Sequence, residues 1–312
     1  MIQHIKRRNF CYGSLILAAS NFLPFNSLAA DSPEEYSNGL VEMIQSLRIL
    51  FASSDAAFSL LWDAIDVLPK VGVVLHSIEF DHDVHRVVCY SSSVDLAGSY
   101  AVSLNSSFRE GRYLVTEPVQ TTVIGKAGKQ LQVFRQEISQ RTQDASNARN
   151  ARLSQVFRDL PAFAPLADRD KMAVRILELA GRFSITPTIF LTREDATNNS
   201  LRYLRLQIGF DSPTADLLRL LSAVRGSTPA IAISKFRIVA SVRGARFQGE
   251  FVAPLVDADA FNAFGPSESR RPKVNEKVNR LLERRLARNP NESDPLDIHR
   301  VAFDSPTPVI RD

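Results

Sequence analysis

One order of elements occurs twice along this chain, and it restricts the fold more than any single motif does. In the first occurrence, residues 54–68 carry Phe58, Leu61, Trp62, Ile65 and Leu68 on one helical face, and Pro69 ends the helix. Residues 73–80 and 84–90 follow, rich in β-branched and aromatic side chains, as two strands of a hairpin. Ser93 then caps a helix with Leu96, Tyr100, Leu104 and Phe108 at four-residue spacing, ended by Gly111. Strands over 114–124 and 130–138 flank the turn Gly125-Lys126-Ala127-Gly128-Lys129.

After a polar stretch the order returns. Met172, Ile176, Leu179 and Phe183 line a helix, and residues 186–191 and 201–210 read as strands around a charged loop, 193–200. Ser212-Pro213 reads as a cap followed by a first-turn proline, and Leu217, Leu218, Leu221 and Val224 carry that helix to Gly226. Strands over 231–242 and 246–253 close the unit as a hairpin over Arg243-Gly244. Each αββαββ copy can lay two helices on one face of a four-stranded antiparallel sheet, so the expected class is α+β, two tandem ferredoxin-like sandwiches. Leu204, Leu206, Ile208 and Phe210 alternate with Arg205 and Gln207, as in a sheet covered on one side.

The expected organisation is a signal peptide over 1–29, an N-terminal helix over 30–53, a first domain over 54–141, a linker over 142–165, a second domain over 166–256 and a flexible, disordered basic tail over 257–312. The leader has a positive start at Lys6, Arg7 and Arg8, an apolar run over 10–23, a break at Pro24 and small residues Ser27-Leu28-Ala29. An uncleaved single-pass inner-membrane anchor is the alternative, because residues 10–30 just reach the roughly 20 residues a bilayer needs. In both cases the rest of the chain faces the periplasm. Removing the leader takes three basic residues and no acidic ones from a formal charge of +4, which leaves the mature chain near neutral.

Cys11 falls in the leader, so Cys89 remains alone and no internal disulfide is expected. Its apolar strand setting points to a buried, inert thiol. In the N-terminal helix, Tyr36, Leu40, Met43, Leu47 and Leu50 recur at steps of four and three, a short coiled-coil-like seam read as a candidate partner contact. In the tail, residues 270–288 hold eight basic and two acidic residues, which suits contact with anionic headgroups or an acidic partner.

The chemistry-bearing stretch is HSIEFDHDVHRVVCY, residues 76–90. His76, His82 and His85 with Asp81 and Asp83 supply imidazole and carboxylate enough for a zinc or manganese site. Strand alternation argues against convergence, since it points His76 with Ile78 and Phe80, while Asp81 and Asp83 are ordinary turn formers. The histidines are therefore expected to mark the tip and flank of a hairpin, where pH-sensitive contact suits them better than chemistry. The loop at 125–129 lacks phosphate-loop spacing, and no metalloprotease, zinc-ribbon or nucleophile-elbow motif appears. No strand carries the Lys/Arg-Gly-Phe type of RNA-binding signature. The reading is a protein with no catalytic residues, no cofactor and no nucleic-acid partner.

The run SLLWDAIDVLPKVGVVLHSIEF resembles the periplasmic domain of PilN and GspL, in which a helix ending in Leu-Pro leads into a strand and hairpin. The run DKMAVRILELAGRFSITPTIFLTRE, with LRYLRLQIGFDSPTADLLRLLSAVRGSTPAIAISKFRIVAS, is similar to PilO and GspM. The two resemblances span residues 54–256. They imply a non-enzymatic scaffold in the inner-membrane assembly platform of type IV pili or type II secretion systems, acting through dimerising ferredoxin-like domains. The implied partners are the chain itself, homologous platform subunits, and secretin or pilus components. Members of those families usually carry one such domain behind a plain transmembrane helix, whereas here two share a chain. The rival reading is a periplasmic metal-binding or metal-dependent protein using the histidine cluster.

Overall fold

The computed structural model describes residues 33–69, 72–81, 84–107, 113–124, 130–140, 163–198, 201–241, 244–257 and 294–297. The expected leader with Cys11, the turn at 125–129 and most of the linker and tail lie outside them. The chain forms two units: Met1–Asn38, of which residues 33–38 are described as helical, and Gly39–Asp312. Among the described residues no helix is long and apolar enough to cross a membrane.

Helix α1 spans Pro33–Asp66, 34 residues. The break expected between the N-terminal helix over 30–53 and the helix over 54–68, where Ser54-Asp55 has the residue types of a helix cap, does not occur, because both side chains have partners that do not require a helix end. The Ser54 hydroxyl accepts the Ile233 N–H at 3.0 Å and Asp55 pairs with Arg225 at 3.2 Å. The helix stops at Leu68-Pro69, where the proline restricts the residue before it. Gly72, at φ 82°, turns the chain into the sheet, and its carbonyl receives the Ser92 N–H.

The first half continues with β1 (Val73–Asp81), β2 (Val84–Ser91), α2 (Val94–Ser107), β3 (Tyr113–Val115), β4 (Val119–Ile124) and β5 (Gln130–Gln140). Ser93 caps α2 as expected, its hydroxyl accepting the Leu96 N–H. The single strand expected over 114–124 is split into β3 and β4 at Thr116-Glu117-Pro118, and both pieces pair with β5. Proline has no N–H for the ladder.

The second half holds β6 (Ala164–Pro165), a 3₁₀ turn (Leu166–Asp168), α3 (Arg169–Gly181), β7 (Thr188–Asn198), β8 (Leu201–Ser212), α4 (Thr214–Arg225), β9 (Ala232–Ser241) and β10 (Gly244–Val256). The loop expected over 193–200 is strand as far as Asn198. Its charges have partners on β8 and on α3: Arg205 reaches Asp195 at 2.6 Å across the strand pair, and Glu194 is reached at 2.8 Å both by Arg202 of β8 and by Arg169 at the start of α3. Ser212 does not cap α4. It pairs with Ala245 in the ladder, its hydroxyl has no partner, and Pro213 takes the cap position, its carbonyl accepting the Asp216 and Leu217 N–H groups. Gly244, at φ 118°, lies so close that a Cβ would meet the Ser212 carbonyl at 2.8 Å and the Pro213 Cα at 2.9 Å.

All ten strands belong to one sheet, ordered β3-β5-β2-β1-β9-β10-β8-β7, with β4 beside β3 on β5 and β6 on β10. Each half runs in the order third, fourth, second, first strand, read in the same direction across the sheet, so that the third strand is outermost in the first half and the first strand, β7, is outermost in the second; β3 and β4 together fill the third place in the first half. The halves meet where β1, a first strand, pairs antiparallel with β9, a third strand: Ser77↔Val239, Ile78↔Ile238, Glu79↔Arg237 and Phe80↔Phe236.

One principal core runs through both halves, from Leu61, Ile65, Ile78, Tyr100 and Ile138 to Ile176, Leu206, Leu221, Phe247 and Leu255. A smaller cluster uses the alternate residues of β8 and β10, Leu201, Tyr203, Val252 and Val256, which face the other way along each strand. Met43 and Leu47 of α1, 1% and 0% exposed, cover it, with Leu50 and Phe51 at its rim. That part of the expected seam is consumed within the molecule and offers no surface to a partner. The side chains of Tyr36 and Leu40 lie outside the described residues.

Among the described residues the tail is anchored at 294–297. Leu296 is 5% exposed inside the principal core, and the Pro295 carbonyl accepts the Leu75 N–H at 2.8 Å. Residues 294–297 are thus a docked plug, contrary to the flexible tail expected there; burial of one leucine and one main-chain bond hold what composition alone marked as loose.

Candidate functional site

The histidine hairpin sits at the centre of the sheet. Its first strand carries a bulge: β1 pairs Leu75 with Cys89 and Ser77 with Val88, leaving His76 as the extra residue. The bulge reverses the facing that plain alternation predicts. Leu75, Ile78 and Phe80 enter the principal core, whereas His76 leaves it and places its ring 4.8 Å from that of Tyr90, which packs on the Val74–Val133 patch. Burial first, then the charges of Arg135 and Arg237, hold the His76 imidazole below its usual pKa and favour the neutral ring.

His85 lies on the core side. Its ring stacks on Phe80 at 4.6 Å, and its Nδ1 is 2.6 Å from Oε1 of Gln140. His76 and His85 are therefore on opposite faces of one sheet, and a single ion cannot bind both at the roughly 2.0–2.1 Å that zinc–imidazole bonds require. Asp81 is exposed at the end of β1; His82 and Asp83 lie outside the described residues. Among the described residues no three His, Cys, Asp or Glu side chains cluster as a metal site. Cys89 is buried, its thiol pushed up to about 12 by burial, which makes it inert.

His85 begins a row of rings that crosses the junction of the two halves. Phe80 stacks on Phe236 at 6.0 Å, Phe236 on Phe247 at 6.5 Å, and Phe247 on Phe210 at 5.0 Å. The row runs over β2, β1, β9, β10 and β8, and Gln140 of β5 holds its first member. Such ring pairs contribute about 0.5–1.5 kcal/mol each beyond area burial, so the hairpin's histidine helps to weld the halves together.

The opposite face of the sheet is charged and largely self-neutralised. Around the first half, Arg86 reaches Glu137 at 3.0 Å and Glu79 at 3.5 Å. In the second, buried Glu250 takes hydrogen bonds from Ser234 at 2.6 Å, Arg205 at 2.8 Å and Gln207 at 3.1 Å, with Lys235 at 3.7 Å. Burial pushes this carboxyl up, but the two neutral hydrogen bonds and the Arg205 and Lys235 charges outweigh it and hold it below the ordinary carboxylate range.

The exposed apolar side chains are elsewhere. Of the eleven large hydrophobic residues exposed among the described residues, seven lie on the two ends of the sheet: Leu114 and Val115 on β3, Val119 and Ile124 on β4, and Ile189, Phe190 and Leu191 on β7. Phe190 is the bulged residue of β7; its ring lies over Gly209 and is still 61% exposed. The sequence did carry the signal. An Ile-Phe-Leu run breaks the alternation of a one-sided strand, so at least one of the three must face water.

Family models, curated proteins and solved structures were all compared with this chain, and none matches.

Proposed function

We propose that this chain is a non-enzymatic, exported scaffold, built of two tandem ferredoxin-like units and working in the assembly platform of a type II secretion or type IV pilus system. The observation that carries the reading is the strand order. Each half places its third, fourth, second and first strands side by side, the order of a ferredoxin-like sheet whose chain begins at a helix. Both halves also bulge near the start of their first strand, at His76 and at Phe190. Two of the five candidate metal ligands are engaged in packing, His85 in the ring row and His76 against Tyr90. Seven of the eleven large apolar side chains exposed among the described residues sit on the outer strands of the sheet, which suits association by strand addition.

Partners follow from this reading: further copies, homologous platform subunits, and secretin or pilus components on the periplasmic side. The test is a tagged full-length chain, crosslinked in intact cells and recovered from solubilised envelope. Secretin, motor-platform or pilus components are expected among the captured proteins; their absence beside efficient recovery of the bait rejects the platform assignment.

A further inference from the structure

The two halves are already joined head to tail, and the joint leaves its own complement open at each end of the molecule. Inside the chain, the first-strand edge of one half (β1) meets the third-strand edge of the other (β9) over residues 77–80 and 236–239. Among the described residues, the sheet ends in the remaining third-strand edge, β3 with β4, and the remaining first-strand edge, β7. A first-strand edge and a third-strand edge are what the internal joint brings together.

Strand direction permits the same joint between molecules. Every neighbouring pair from β4 through β5, β2, β1, β9, β10 and β8 to β7 is antiparallel. Eight strands therefore put β7 opposite in direction to β4. A second copy, placed in the same orientation beyond β7, presents its β4 antiparallel to it, with its helices on the same side of the extended sheet.

Both edges are equipped to be covered. Val119 and Ile124 are 62% and 75% exposed, and the β4 sequence Val-Gln-Thr-Thr-Val-Ile contains no charged residue. Ile189, Phe190 and Leu191 form an exposed apolar run on β7. The β7 charges that could guard it, at 193–195, are engaged in ion pairs with Arg169, Arg202 and Arg205 or with one another. Isolated sheet edges in monomeric proteins are usually protected by lysine, proline or a covering element, and these apolar stretches carry no such charge.

We infer that copies of this chain add to one another head to tail, β7 of one pairing with the β3–β4 edge of the next, so that one sheet continues through successive molecules. A joint between unlike edges is heterologous, and it produces an open series or a ring according to how the sheet twist closes. This inference rests on the scaffold reading above and names the partner and the surfaces it uses.

The test uses the full chain and two double variants, Ile189→Lys with Leu191→Lys on β7, and Val119→Lys with Ile124→Lys on β4. All four positions are exposed, so the lysines leave the core untouched. In sedimentation velocity over a wide concentration range, the unaltered chain should form oligomers, either a series that grows with concentration or, where the sheet twist closes, a ring of one fixed size. Each variant alone should be monomeric, because every joint needs one edge of each kind. An equimolar mixture of the two should give dimers and nothing larger, since one good β7 and one good β4 remain; that restoration also shows that both variants fold. A monomeric unaltered chain, a variant that still dimerises through two like edges, or a mixture that stays monomeric each overturns the inference. None of these results bears on the capture of platform components, so the two readings fail separately.

Discussion

Leu296 lets the attachment of the C-terminal segment be weighed. Its side chain fills a site among Leu61, Ile65, Ile78, Leu217 and Leu218, beside a cavity of about 10 Å³, roughly one water or less. Leu296→Ala enlarges that space. For a fully buried leucine the cost is about 2–5 kcal/mol, and the low end applies where surroundings can collapse. Here an upper limit comes from the topology. Residues 294–297 can detach, so the loss cannot exceed the free energy with which the segment docks, which also includes the Leu75 N–H to Pro295 carbonyl bond. We expect about 2–3 kcal/mol for Leu296→Ala and somewhat more for a chain ending before Asp294, which loses the main-chain bond as well. Trp62 is the only tryptophan and lies in the same core, so its fluorescence during urea unfolding reports the change directly. A loss under about 0.5 kcal/mol, the range of ordinary surface substitutions, would refute the docking. So would an alanine variant less stable than the truncated chain.

Three further expectations follow from charge and burial. Glu250→Ala removes the acceptor of the Ser234, Gln207 and Arg205 hydrogen bonds, and should cost about 1–3 kcal/mol in urea unfolding; Glu250→Gln, which keeps an amide oxygen for the Ser234 hydroxyl, should cost less, and equal losses would show that this bond contributes nothing. Acid should destabilise the fold in two steps. Because the folded His76 pKa is depressed, the unfolded chain takes up a proton first, and stability falls as pH drops below the usual histidine value near 6.5. Glu250, also depressed, contributes stability that is full above the usual carboxylate value and lost as pH falls through its folded value. His76→Gln should flatten the upper step alone, and an unchanged midpoint-against-pH curve in that variant contradicts the assignment. Cys89 should resist a thiol reagent at pH 8 in the folded protein and react in urea; rapid labelling without denaturant would mean that the β1–β2–β5 region opens locally.

The sequence was legible where local chemistry decides the structure. Ser93 caps α2 because the hydroxyl reaches an N–H three residues on, and the β1–β2 hairpin follows from β-branched runs around an acidic turn. It was misleading where a partner far along the chain decides. Ser54-Asp55 has the look of a helix start, yet Ile233 and Arg225, some 170 residues away, occupy both side chains. The stretch 193–198 reads as a loop because charges are costly in an isolated strand, while Arg202 and Arg205 across the ladder and Arg169 on α3 pair with them. The facing of His76 turns on one inserted residue, which periodicity cannot register. Leu296 is one of many apolar residues in the basic tail, itself not marked out by spacing, and only the contour of the core shows that it is held. At the candidate surfaces, the Met43–Leu47 stripe predicted burial correctly but not what it is buried against. The β7 edge was the clearer signal.

The junction of β1 with β9 also bears on how the molecule is made. Its paired residues lie about 160 positions apart, and contacts of such separation form late because the intervening chain must first be ordered. While the C-terminal half is still emerging, the first half holds Ile78 and Phe80 on an open strand next to unpaired main-chain groups. For that interval the nascent chain is at its most prone to pair with the wrong strand, and its yield should depend on how quickly residues 232–241 arrive.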